Sequence, residues 1–433
     1  MLRLWRGLEL LRAYRERQFA SLSEWNYKVF FFGQMVSQVG GWTQTVAQSW
    51  LVLQLTDSPL SLGLVTLLQT LPFTLFSLVG GVLADMLPKR KTLVVVQTVA
   101  MLQAFAMFFL AATNTIEVWH IYCLAFVLGT TKATERPIRQ SFYSELVGRE
   151  KLGNAIALNS SLLNTAKIVG PALGGVMIAV IGVEGNFLVN GISFLAVLLA
   201  YGLMKPSQYY PARASKPSKN IAREVAGGVR YAWTTPKLAF LLILVAFIGT
   251  FGYNFNIITP LVAEYVLGVG PGKFGLLSSF LGAGALLSAL TIAAVRQHDE
   301  RLLYVTGSAF VVLLLVASVS QVYWLSAAVF LGLGVAGTAT MTTAHTILQL
   351  SADEEMRGRV ISNYILLQSG TTPIGSMVIA FAGARFGVQN ALVLMAALCV
   401  VGLGLSFAYW YLRVAKRGIE LPAPVATDVT VGP

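Results

Sequence analysis

Lys132, Glu135, Arg136 and Arg139 stand at i, i+3, i+4 and i+7 in the run LGTTKATERPIRQS, residues 128–141. In a helix this spacing puts all four on one face, and Glu135 can pair with Lys132 one turn back or Arg139 one turn on. A carboxylate set among cations can carry a proton, because its neighbours tune its pKa. The surplus cations can attract an anionic or polar solute. Lys167, in the next apolar run, brings the formal charge of the group to +3. Few acids could balance it: Glu264 is the main one, and Glu145 lies near the edge of its run.

A neutral polar set accompanies the charges. Gln34, Gln38, Thr45 and Gln48 recur along one apolar run, and Tyr253, Asn254 and Asn256 along another, with Trp42 and Trp50 as flat apolar surface. Amides beside aromatics suit a large amphipathic solute. The same glutamines could equally bridge neighbouring helices. His345 stands alone and reads as structural or substrate-adjacent rather than as a metal ligand. Cys123 and Cys399 lie in apolar runs and read as small core residues.

What positions these groups is a bilayer. Of the 433 residues, 56% are hydrophobic and only 12% charged, where a soluble chain carries about a quarter. Runs long enough to cross a membrane, about 20 residues, recur near 28–54, 60–84, 91–112, 118–144, 153–181 and 186–204, then near 238–267, 272–295, 301–319, 323–349, 358–383 and 388–412. Forty glycines fit helices that pack closely in lipid. The expected fold class is an all-α integral membrane protein with twelve transmembrane helices.

The net charge of +12 does not indicate nucleic acid, because 25 of the 31 Lys and Arg fall in alternate loops. Only Lys273 and Arg385 fall in the opposite loops; the other four are Lys132, Arg136, Arg139 and Lys167. This bias places both termini in the cytoplasm, in a multi-pass protein of the cytoplasmic (inner) membrane. The basic loops face anionic lipid.

Residues 1–27 carry charge throughout and contain no secretory signal. Leu4, Leu8 and Leu11 predict a short amphipathic helix on the cytoplasmic surface, with a frayed tail as the alternative. An N-terminal six-helix half spans 28–204 and a C-terminal half 238–413, with a tail over 414–433. The basic linker 205–237 holds four prolines, and Ile221, Val225, Val229 and Trp233 (or Ala232), four apart, predict an amphipathic helix within it. The halves resemble each other: Tyr122 and Tyr323 are 201 apart, and Asn159 and Asn363 are 204 apart, each pair opening corresponding runs. A duplicated unit gives two pseudo-symmetric halves.

Three readings of the charged stripe follow. The fourth span could end near Thr131, but IRQSFYSELV would then be an overlong loop. The charges could form salt bridges that hold the N-terminal half together. Or they could line a central cavity and act on substrate or protons, since charge at bilayer depth is too costly to face lipid. Pro137 could bend the stripe toward such a cavity.

Two motifs carry a family resemblance. GGVLADMLPKRK resembles the loop motif of the major facilitator superfamily, with Gly81, Asp85, Lys89, Arg90 and Lys91 matching and Met86 and Pro88 departing. GPALGG resembles the core of that family's antiporter motif in Gly170, Pro171, Gly174 and Gly175, although Ala157 and Ala166 replace its earlier glycines. The wider phrasing over residues 25–412 is similar to the branch of siderophore (enterobactin-type) and multidrug exporters. The resemblance implies a secondary active transporter that exports a small siderophore- or drug-like molecule by alternating access, coupled to protons. It implies a monomer without cofactor or metal, with GPALGG as a gating helix where the halves meet. Asp85 would pair with the basic cluster or face a helix N-terminus across the gap between halves. An uptake carrier or uniporter is the alternative, and a membrane enzyme or a sensor a remote one. GVGPGKF (268–274) fails the spacing of a phosphate-binding loop.

Overall fold

A computed structural model describes residues 19–211, 221–294 and 299–417, with 76–86, 221–226, 293–294 and 417 described by backbone alone. The helix expected before residue 19 lies outside these residues. The described chain is helical and contains no strand. Its principal helices are α1 (Trp25–Thr56), α2 (Pro59–Met86), α3 (Lys89–Ala112), α4 (Val118–Val147) and α5 (Leu152–Leu203). The linker helix α6 (Ile221–Thr234) and α7 (Pro236–Val266) follow. Then come α8 (Pro271–Ala294), α9 (Glu300–Val319), α10 (Tyr323–Ser351), α11 (Arg357–Phe386) and α12 (Val388–Arg413).

Each expected apolar run falls on one of these helices, the fifth and sixth on the two arms of α5. Gly182 separates those arms at φ 76°, a conformation that favours glycine. Among the described residues, eight stretches (α3, α5 and α7–α12) are long and apolar enough to cross a membrane. α4 is not among them, because its charges interrupt the apolar run. Many large apolar side chains point outward, among them Val180 at 75% and Leu199 at 65% exposure. Such surface is a liability in water and suits lipid.

The chain divides into two compact units: Met1–Leu51 with Leu75–Pro217, and Val52–Thr74 with Ser218–Pro433. In unit one, α3 packs along α5 and α4. Tyr27, Phe30, Phe142, Tyr143 and Tyr201 form an aromatic core at one end, several of them edge-on to one another. A short strap closes this end: Ser21 Oγ donates to Asn154 Oδ1 (2.6 Å), Asn26 Nδ2 donates to the Lys205 carbonyl (2.9 Å), and Lys151 pairs with Glu24.

In unit two, α8 and α10 pack closely. A Cβ on Gly284 would stand 1.9 Å from the Leu331 carbonyl oxygen, and one on Gly334 2.1 Å from the Leu281 oxygen. Backbone meets backbone here, as small residues allow in membranes. Gly334→Ala is therefore expected to lower the denaturation midpoint of the purified protein by several degrees. Gly404→Ala, where nothing lies within 4 Å, should leave it unchanged.

α7 is irregular. π-helical turns occupy Ile248–Gly252 and Val262–Val266, and helical geometry lapses at Tyr253 and Asn254. α11 carries a π turn at Leu366–Gly370, packed on the first of these, and Thr250 Oγ1 donates to Thr371 Oγ1 at 2.7 Å. Val52–Thr74 joins this unit through such contacts: Thr74 Oγ1 donates to the Gly370 carbonyl at 2.9 Å. α6 docks on α11, with Tyr231 OH donating to Asp353 Oδ2 at 2.8 Å. α6 occupies Ile221–Thr234 of the linker. Ala232 is fully buried, while Trp233 is 41% exposed.

Candidate functional site

α4 runs unbroken from Val118 to Val147, through Pro137, so the fourth helix does not end near Thr131. Glu117 and His120 form a capping box at its start, and Gly148, at φ 70°, ends it. Lys132 stands halfway along its 30 residues. With 3.6 residues per turn, Glu135 and Arg139 form one edge of the charged face and Lys132 and Arg136 the other.

The two edges have different fates. Glu135 and Arg139 turn inward, 9% and 6% exposed, and Arg139 Nε lies 2.9 Å from Glu135 Oε1. Gln97 Nε2 of α3 donates to the same carboxylate oxygen at 3.4 Å. Arg139 also donates to Asn159 Oδ1 of α5 at 3.3 Å and to Tyr143 OH at 3.4 Å. One ion pair thereby ties three helices of unit one together. Lys132 and Arg136 are exposed. Glu135, expected to pair with either cation neighbour, pairs with Arg139. Lys167 is half-buried on α5.

The glutamines of α1 divide similarly. Gln34 and Gln48 are buried, and Gln34 accepts from Gln38 Nε2 at 3.2 Å. Thr45 bonds its own helix, donating to Gly41. A network that the spacing of α1 does not reveal lies alongside: Gln44 Nε2 donates to Gln103 Oε1 of α3 at 3.0 Å, and Asn190 Nδ2 of α5 donates to Gln44. The available signal was amides in three apolar runs, which must find partners or stay unsatisfied in lipid.

Gly170 and Gly174 of GPALGG face α1. Their Cβ positions would meet Trp42 Cβ at 2.4 Å and Thr43 Cα at 3.0 Å, and Asn186 Nδ2, beyond the break in α5, donates to the Gly174 carbonyl at 2.9 Å. Pro171 and Gly175 are also buried. The motif thus fastens α5 to α1 within unit one. Of the loop motif, the side chains of Gly81 and Asp85 lie outside those described. Lys89 pairs with Glu145 at the end of α4. Arg90 is half-buried and Lys91 exposed. Burial pushes the Tyr209 phenol above its ordinary pKa, against the nearby Arg90 and with the help of Glu145.

In unit two, Asn254 is 2% exposed, and its Nδ2 donates to the Thr250 carbonyl. Asn256 is exposed, and Tyr253 packs against Gly337. Glu264 is half-buried, with Asp57 as a charged neighbour, whose carboxylate accepts from Tyr265 OH at 3.0 Å. His345 lies 3.2 Å from Gln349 Nε2 and 4.8 Å, ring to ring, from Tyr364.

A buried ion pair thus stands beside an exposed cationic edge, midway along a helix of a many-helix apolar protein. The family model described as transmembrane secretion effector matches residues 16–418. The chain belongs to this family of the major facilitator superfamily. This transporter is 24% identical over 377 residues to a staphyloferrin A transporter of Staphylococcus aureus (strain NCTC 8325 / PS 47), a match covering 85% of this chain and 92% of that one. It is 24% identical over 359 residues to the multidrug efflux pump Tap of Mycolicibacterium fortuitum, covering 80% and 86%. Among solved structures, a bacterial homologue of the human lysosomal transporter Spinster, inward-facing and unoccupied, superposes with a TM-score of 0.68 at 14% identity, covering 89% of this chain and 97% of that one. The fold is that of the superfamily, and the protein is a multi-pass membrane transporter of small molecules, not an enzyme.

Proposed function

We propose that this transporter exports a small amphipathic, siderophore- or drug-like molecule across the cytoplasmic membrane by alternating access, coupled to protons. The observation that carries the proposal is the division of the α4 face. Lys132 and Arg136 present positive charge to a cargo with an anionic or polar group. Glu135, buried against Arg139, is the group that takes the proton. Neutralising Glu135 cancels its attraction for Arg139 and loosens the clasp among α3, α4 and α5, so protonation biases the packing of unit one. Export is favoured by the family description, by relatives named for siderophore transport and drug efflux, and by physics. An inside-negative potential drives an anion outward by about 2.3 kcal/mol per charge per 100 mV.

Reconstituted vesicles with an imposed pH gradient test this reading. Glu135→Gln retains a hydrogen-bond acceptor for Arg139, so the variant should fold and exchange cargo by counterflow but lose its response to the gradient. A pH-gradient dependence equal to that of the unaltered protein would rule out Glu135 as the proton carrier.

A further inference from the structure

α1 and α2 do not stay within one unit. Their tip, Val52–Thr74, belongs to unit two, while the remainder of both helices belongs to unit one. The tip lies at the end away from the basic loops, which the charge bias places outside. It is docked along α11. A Cβ on Gly63 would stand 2.2 Å from Ala380 Cβ and 3.1 Å from the Ser376 carbonyl oxygen, and one on Gly383 3.3 Å from Pro59 Cβ. At the turn between the two helices, Asp57 is left-handed at φ 42° and accepts from Tyr265 OH of α7 at 3.0 Å. Any motion of unit one against unit two must bend α1 and α2 or release this tip.

The apolar contacts of the tip are indifferent to charge, but its polar contact is not. Asp57 is exposed, and Glu264, half-buried in the last turn of α7, has Asp57 as its charged neighbour. Neither carboxylate has a salt bridge among the described residues. Of the cations on neighbouring helices at this end, Lys273 of α8 lies over the Tyr323 ring at 5.4 Å, and Arg385 is exposed in the last turn of α11. α9 and α12 carry their charges, Glu300, Arg301 and Arg413, at the opposite end. Docking thus brings two carboxylates together without a cation, and they repel when both are ionised. One proton on either removes the repulsion.

We propose that the Asp57–Tyr265 bond is a releasable latch at the outer end of the transporter, and that Glu264 makes it answer to the proton concentration outside. Acid outside holds the tip on unit two; alkali releases it. A proton taken up here returns to the same side, so the latch sets when the outer end opens and carries no net proton. Tyr265 acts as a positioning residue, because its hydroxyl holds Asp57 beside Glu264. The inference rests on the alternating-access reading above, since a latch needs a gate.

The test uses the full-length transporter in lipid nanodiscs, with the exposed Cys123 replaced by Ser. Spin labels are placed on Leu55→Cys in the tip and Gln321→Cys in the loop before α10, both exposed, and their separation is read by pulsed electron paramagnetic resonance. From about pH 5 to about pH 8, a range that spans the titration of coupled carboxylates, the population with the longer separation should rise at least about tenfold. Glu264→Gln and Asp57→Asn, which keeps an acceptor for Tyr265, should each hold the short separation at both pH values. Tyr265→Phe should favour the long separation at both. Should Tyr265→Phe not fold, the other two variants decide the matter. A separation that does not change with pH, or a pH response that survives in both Glu264→Gln and Asp57→Asn, would overturn the proposal. Counterflow by the unlabelled protein in vesicles is measured alongside. Counterflow with an unmoving tip sinks the latch and leaves alternating access standing, whereas no counterflow sinks the transport reading and the latch with it.

Discussion

Glu135→Ala is expected to destabilise the transporter by about 3–5 kcal/mol, the usual cost of removing one partner from a buried ion pair. The reason lies in what remains. Arg139 is 6% exposed and cannot shed its proton, so its charge would be stranded among α3, α4 and α5. Arg139→Ala should cost less, because the Glu135 left behind can become neutral by protonation. The double variant Glu135→Gln, Arg139→Gln carries no buried charge, keeps polar groups for Gln97, Tyr143 and Asn159, and should recover most of the loss. Denaturation midpoints of the purified proteins in one detergent give the order: native first, then the double Gln variant, Arg139→Ala, and Glu135→Ala last. A Glu135→Ala variant as stable as the double Gln variant would mean that the pair does not hold this unit together.

The other edge of α4 should behave oppositely, with little effect on stability and a large one on transport. Lys132→Glu is expected to reduce export of an anionic cargo at least tenfold. Two unit charges about 4 Å apart interact by roughly 4 kcal/mol at an effective dielectric of about 20. Lys132 is exposed, so water screens much of this, yet about 1.4 kcal/mol already amounts to tenfold in binding. Lys132→Arg should retain export, and Lys132→Gln should be intermediate. The measurement is accumulation in cells with and without the transporter, across a panel of anionic siderophores and cationic drugs, with membrane levels of each variant matched. Anion export that survives Lys132→Glu would remove Lys132 from the cargo path. Export of cations alone by the native protein would remove the charge argument altogether.

These expectations differ for neighbouring residues that the sequence presents as equivalents. Spacing at i, i+3, i+4 and i+7 correctly places Lys132, Glu135, Arg136 and Arg139 on one side of one helix. It is silent on which edge meets α3 and α5, because helical periodicity defines an angle about the axis and not what occupies that angle. The salt bridge occupies one edge of the face, and the other edge is exposed. Similarly, Gln34 and Gln48 lie on a polar stripe of α1 and are buried. Gln44, off that stripe, joins the amide network through Gln103 and Asn190, partners far away in sequence. Asn254 and Asn256 read alike as polar residues, and the irregular geometry of α7 buries the first while exposing the second.

By itself the sequence determined what depends on local composition and repetition. The membrane class follows from apolar runs of bilayer length, the helical boundaries from where those runs stop, and the superfamily from motifs whose residues are adjacent in the chain. Only the tertiary structure decided which charges are buried and which are exposed, where Lys89 finds its partner, and that the glycines of GPALGG receive α1. Each of these is a contact between segments distant in the chain. Its free energy depends on how several helices desolvate a group together, and no single helix encodes that.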